Sequence, residues 1–138
     1  MPFRLETPRL VLRSFEERDI QPFSLYRSDP EVAKYQGWET PFTLEQAAQF
    51  VAEMKSRALG EGSQWHQLAI ELKSTGELIG DCAFYRLSEN LAQAEIGYTL
   101  ARPFQGQGYA SEAVARLLAY LFEALGLHRV RANTDPDN

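Results

Sequence analysis

The chain has 138 residues, 44% of them hydrophobic, enough for one globular domain that buries most of its apolar side chains. Fourteen Lys and Arg against nineteen Asp and Glu give a formal charge of −5, and no Lys/Arg-rich run appears, which argues against a nucleic-acid partner. The single cysteine, Cys82, excludes a disulfide framework and a thiolate cluster; no metal site is expected. No apolar run reaches the roughly 18 residues of a membrane span, and the N-terminus lacks a signal sequence, so a cytoplasmic protein without a membrane partner is expected.

In chain order, "RLVLRSF" (9–15) alternates apolar and polar residues and predicts a first strand. Asp19 fits the N-cap of a short helix, with Pro22 in its first turn. "SDPE" (28–31) and "GWETP" (37–41) read as breakers. Thr43-Leu44-Glu45-Gln46 is a capping box, followed by an apolar stripe of Leu44, Ala47, Ala48, Val51, Met54 and Ala58; Gly60 and Gly62 mark the helix end. The period then changes to two over "WHQLAIEL" (65–72), "ELIGDCAFYRL" (77–87) and "AQAEIGYTL" (92–100). Short connections between these strands predict antiparallel hairpins. A helix carrying Ala113, Val114, Leu117, Leu118, Leu121, Phe122 and Leu125 on one face ends at Gly126, and "HRVRANT" (128–134) is a further strand. The fold class is α+β: a mixed, mostly antiparallel sheet flanked by helices.

The stretch "PFQGQGYASEA" (103–113) is the chemically informative one. Gly106 and Gly108 precede an apolar helix, where orphan amide groups and the helix dipole attract anions. Removing two Cβ atoms bares those amides to a phosphate, Ala110 keeps the wall thin, and Ser111 adds a hydroxyl. Glu112 would repel an anion unless it points away. A flexible connector capped by Ser111 explains the same residues. A dinucleotide fingerprint is disfavoured by Ser111 at its third small position, and a P-loop by the missing Gly-Lys-Ser/Thr.

Taken together, "AEIGYTLARPFQGQGYASEA" resembles the acetyl-CoA-binding core of the GCN5-related N-acetyltransferases, whose Gln/Arg-x-x-Gly-x-Gly/Ala fingerprint is matched by Gln105, Gly108 and Ala110. "ETPRLVLRSF" and "GELIGDCAFY" are similar to the branch containing ribosomal-protein alanine N-acetyltransferases. The resemblance implies one acetyltransferase domain over residues 1–138 that stops before the family's final helix and strand. It implies acetyl-CoA as co-substrate, with pantetheine against the backbone of Tyr98, Thr99 and Leu100. Pyrophosphate would lie on Gln105, Gly106, Gln107, Gly108, Tyr109, Ala110 and Ser111. Asn138 resembles the asparagine of the family's Asn-x-x-Ser segment.

By the same resemblance, an acceptor amine attacks the thioester directly, without a covalent enzyme species. Glu95 is the candidate general base, displaced by one residue from the family spacing; a solvated carboxylate is the competing reading. The tyrosine general acid of many members would lie beyond Asn138. Trp38, Glu39 and Phe42 fall in the loop that borders the family's acceptor site, or pack on the sheet. The acceptor is a small-molecule or peptide amine, and a homodimer is an open expectation. Two other readings compete with the enzyme: a non-catalytic acyl-CoA-binding or sensing module, and an interaction domain without a cofactor. Cys82 reads as a core residue, and His66 and His128 show no ligand spacing.

Overall fold

The computed structural model describes residues 4–34, 40–56, 65–86, 93–124, 126–127 and 129–132. They form one six-stranded sheet in sequential order: β1 (Arg4–Glu6), β2 (Leu10–Arg13), β3 (Trp65–Leu72), β4 (Leu78–Arg86), β5 (Gln93–Leu100) and β6 (Arg129–Ala132). Every neighbouring pair from β1 to β5 is antiparallel, and β6 runs parallel to β5. The helices are α1 (Ile20–Arg27), α2 (Pro30–Ala33), α3 (Leu44–Ser56) and α4 (Tyr109–Glu123).

The alternation of side chains sorts them between two cores. Leu10, Leu12, Leu68, Ile70, Phe84, Ile96 and Leu100 meet Ala113, Leu117 and Leu121 of α4 on one face. On the other face, Phe15, Phe23, Tyr26, Ala47 and Val51 of the α1 and α3 region cover Ala69 and Leu78. The predicted stripe of α3 is narrower than its pattern, because Ala47 and Val51 are buried whereas Leu44 is exposed; Ala58, Gly60 and Gly62 lie outside the described residues. Thr43 does cap α3: Gln46 N donates to Thr43 Oγ1 at 3.1 Å, and Thr43 N donates back to Gln46 Oε1 at 2.9 Å.

Three local expectations need correction. The run 9–15 forms β2, but a strand the pattern does not predict, β1, precedes it: Thr7 takes Leu10 N on its Oγ1 at 2.9 Å and turns the chain between them. "SDPE" starts a helix rather than only breaking the chain: Asp29 accepts Glu31 N at 3.0 Å, and Pro30 occupies the first helical position of α2. Asp19 does not cap α1 with its side chain. Its carboxylate is drawn instead to Arg13, which donates from Nη1 to Oδ2 at 2.7 Å and from Nη2 to Oδ1 at 2.9 Å, and Glu16 N donates to Oδ2 at 2.7 Å. Arg13 Nε donates at 2.8 Å to Glu71 Oε1 of the neighbouring strand, so a bidentate pair ties β2 and β3 to the start of α1.

Both Arg13 and Asp19 are buried, and removing Asp19 strips the guanidinium of its bidentate partner, leaving Glu71 at 2.8 Å as its nearest carboxylate. Asp19→Ala is expected to cost about 3–5 kcal/mol of stability, read from the urea midpoint. A loss under about 1 kcal/mol, the scale of an exposed pair, would contradict this account.

Candidate functional site

The site lies at the C-terminal end of β5. β4 pairs with β5 from Arg86↔Ala94 to Gly80↔Leu100, and the described residues of β6 pair from Gln93↔Arg129 to Ile96↔Ala132. Ala101 N donates to Ile79 O at 2.8 Å, and an antiparallel ladder alternates. The backbone groups of Thr99 therefore face β4, and those of Tyr98 and Leu100 face the other edge. On that edge no described strand pairs with residues 97–100.

A cleft of about 250 Å³ opens there, lined by Tyr98, Thr99, Leu100, Gln105, Gly106, Ala110, Glu31 and Val32. Gln105 Nε2 donates to Leu100 O at 3.0 Å and ties the turn to the end of β5. Gln107 Nε2 donates to Pro103 O at 3.0 Å and lies outside the cleft lining, as does the exposed Ser111. Gly106 and Gly108 have φ of +78° and +83°, the left-handed region that a side chain disfavours. A Cβ on Gly106 would meet no atom within 4 Å, so the open space beside this glycine is part of the cleft wall.

Glu112 does point away from the turn. Thr7 Oγ1 donates to its Oε2 in a short hydrogen bond, Arg9 N donates to Oε2 at 2.9 Å, and Arg9 Nε donates to Oε1 at 2.7 Å. Burial pushes this carboxyl up, but the bonds from Thr7 and Arg9 outweigh it and hold Glu112 below the ordinary carboxylate range. Arg9 also donates from Nη1 to Gln107 O at 3.1 Å and lies 4.4 Å above the Tyr109 ring. The roles of Arg9 and Thr7 were not visible in the pattern, since their partner lies about a hundred residues away.

α2 forms the opposite wall. Asp29 pairs with Arg102 in a short contact, which fixes α2 to the turn after β5 and places Glu31 and Val32 on the cleft. On the face opposite α4, Glu95, Gly97 and Thr99 follow one another along β5. A Cβ on Gly97 would meet nothing within 4 Å, so this face is open between Glu95 and Thr99. Asp81 of β4 is the register partner of Thr99. It is 2% exposed and accepts hydrogen bonds from Tyr26 Oη and from Gln67 Nε2, the latter at 3.1 Å. Burial raises its pKa, against the opposing pull of Arg27, Tyr26 and Gln67.

Phe42 packs on Phe23 with ring centroids 5.5 Å apart and does not line the cleft. Trp38, Glu39, His128 and Asn138 lie outside the described residues. Cys82 is buried, its thiol pushed far up by that burial and by Asp81, and His66 stacks on Phe84 at 5.1 Å. Among the described residues no three His, Cys, Asp or Glu side chains gather as metal ligands, and no helix is long and apolar enough to cross a membrane.

A glycine turn that leads into the N-terminus of α4, beside a cleft at the end of β5, is a scaffold suited to an anionic ligand. The sequence profile of the acetyltransferase (GNAT) domain matches residues 9–138, and the chain belongs to that family of acetyltransferases. It is similar to the uncharacterized N-acetyltransferase p20 of Bacillus licheniformis, 42% identical over 134 residues, covering 97% of this chain and 74% of the relative. The uncharacterized N-acetyltransferase YoaA of Bacillus subtilis is 35% identical, with 97% and 75% covered. Among solved structures, a GNAT-family acetyltransferase from Bacillus anthracis superposes with a TM-score of 0.80 at 30% identity, covering 99% of this chain and 76% of that one. Mycobacterium smegmatis RimJ, solved in complex with CoA-disulfide, shares the fold at a TM-score of 0.79 and 24% identity, with 99% and 68% covered.

Because the Glu112 carboxyl is held low in the folded chain, the stability it adds is present above its unfolded pKa of about 4.3. That contribution is lost as pH falls through the lower folded value. Glu112→Gln is expected to be less stable than wild type at pH 7 and to show a flatter decline below about pH 4.3, measured by urea unfolding at several pH values. Parallel stability curves for the two proteins would contradict the assignment.

Proposed function

We propose that this chain transfers the acetyl group of acetyl-CoA to a primary amine, with the cleft between β5, α2 and the glycine turn as the donor site. The observation that carries the reading is the pair of left-handed glycines beside the cleft at the end of β5, on whose outer edge no described strand pairs with residues 97–100. Amide groups at the start of α4 suit the pyrophosphate, and no lysine is needed. Gln105, Gly106 and Ala110 would line its approach, with Gln107, Gly108, Tyr109 and Ser111 completing the turn. Pantetheine would run along Tyr98, Thr99 and Leu100, where an outward N–H can polarise the thioester carbonyl.

In this reading the neutral amine attacks that carbonyl, a C–N bond forms and the C–S bond breaks. The amine's surplus proton leaves through a base, and the departing thiolate takes a proton from an acid or from solvent. Glu95 is the proposed base. Four residues of extended chain put it about 13 Å from Thr99, so it would act through water along the open face above Gly97. The acceptor class remains a peptide N-terminus or a small amine, in a cytoplasmic setting. Trp38, Glu39 and Asn138 keep their proposed places beside acceptor and donor.

Gly106→Ala separates binding from folding. Its Cβ meets no protein atom, so the folded chain should lose only the roughly 1–2 kcal/mol of left-handed strain. Calorimetry should nevertheless show clearly weaker acetyl-CoA binding than wild type, while Glu95→Gln keeps donor binding and loses the alkaline-rising limb of the pH–rate profile on an amine panel. Equal donor affinity in wild type and Gly106→Ala would sink the donor site, and an unchanged pH profile in Glu95→Gln would remove Glu95 as the base.

A further inference from the structure

A carboxylate in the first turn of α4 stands in the wrong place for an anion site. Side chains in a helix lean back toward its N-terminus, so Glu112 naturally reaches for the same orphan amides that a phosphate would use. In this chain it does not do so. Thr7 and both the backbone N and Nε of Arg9 hold it on the side of β2. The order of charges matters as much as the pairing. The Nε edge of Arg9 takes the carboxylate, and Nη1 takes the carbonyl of Gln107 inside the turn. Nη2 lies 3.3 Å from where a Cβ on Gly108 would stand. The guanidinium is thereby interposed between Glu112 and the glycine turn, with Tyr109 beneath it.

We infer that Arg9 is a positioning residue for the anionic donor: it keeps the Glu112 carboxylate off the α4 amides and fixes the Gln107–Gly108 peptide of the turn. This rests on the donor-site reading above. Without the Arg9 side chain, Glu112 keeps Thr7 Oγ1 and the backbone N of residue 9 on Oε2 but loses its Oε1 partner and the neutralising charge, so the carboxylate competes for the α4 amides and repels phosphate. A purely structural tie would be damaged equally by losing either partner. A carboxylate guard predicts that removing the charge of Glu112 repairs what the loss of Arg9 breaks.

The test is a double-mutant cycle with coenzyme A as the titrant, followed by calorimetry, with circular dichroism verifying the fold. Arg9→Ala should weaken coenzyme A binding roughly tenfold, the scale of one nearby unscreened like charge. Arg9→Ala combined with Glu112→Gln should recover most of that affinity while its melting temperature stays low, since the Arg9 side-chain bonds to residue 112 and to Gln107 O are absent in both. A folded double variant that binds as weakly as Arg9→Ala overturns the proposal. Arg9→Lys, which keeps the charge but cannot grip Glu112 and Gln107 together, should fall between wild type and alanine. Amide NMR shifts of residues 106–111, recorded without ligand, separate this inference from the donor-site reading. They should move in Arg9→Ala; unchanged shifts would overturn the positioning role whether or not wild type takes coenzyme A, whereas wild type that binds none contradicts the donor site itself.

Discussion

The arrangement depends on how closely β5 is held against β4. The two pair from Ala94 to Leu100, and the fit is close: a Cβ on Gly80 would stand 2.2 Å from Thr99 O. On the opposite edge the described residues of β6 pair with β5 as far as Ile96, and Gln105 Nε2 takes Leu100 O. Backbone groups on such an edge need a partner, whether protein, solvent or ligand. The turn at residues 105–108 comes one short 3-10 turn (Arg102–Phe104) after β5, and α4 starts from it with helix-start amides that lack intrahelical partners. Strand edge and helix start thus present backbone donors to one cleft.

What surrounds this backbone is charge management. Arg9 and Thr7 draw Glu112 aside on the α4 face, and Arg102 anchors α2 through Asp29. On the other face Asp81 is buried beside Thr99 under Tyr26 and Gln67, within a sheet surface that Gly97 leaves open. These pairs join elements far apart in sequence, so the cleft is assembled only when the sheet has closed. The α1–α3 layer contributes through aromatic packing, with Phe23 touching Phe15, Tyr26, Phe42 and Phe50. That cluster also explains why Phe42, a candidate for the acceptor side, turns inward.

Much of this was readable from the chain. The period-two runs at 65–72, 77–87 and 92–100 became β3, β4 and β5 within a residue or so, and the Thr43–Gln46 box starts α3 as its chemistry requires. The glycine spacing before α4 located the turn, because only backbone conformation and side-chain size were at issue there. The misses share a cause. Asp19 looked like a cap because a cap is a local bond, yet Arg13 offers it a bidentate partner in a buried setting. Arg9 looked like an ordinary strand residue, since nothing local marks a bond to Glu112 across 103 residues. Asp81 was hidden in an apolar run, where neither periodicity nor composition signals a partner on α1.

The central claim is that the C-terminal end of β5 and the glycine turn form one donor site. It is tested most directly by titrating the isotopically labelled chain with acetyl-CoA and following backbone amide shifts. The account predicts changes concentrated at Tyr98, Leu100 and residues 105–111. Changes centred instead on the groove lined by Glu17, Ile20 and Lys55, or no saturable change, would contradict it.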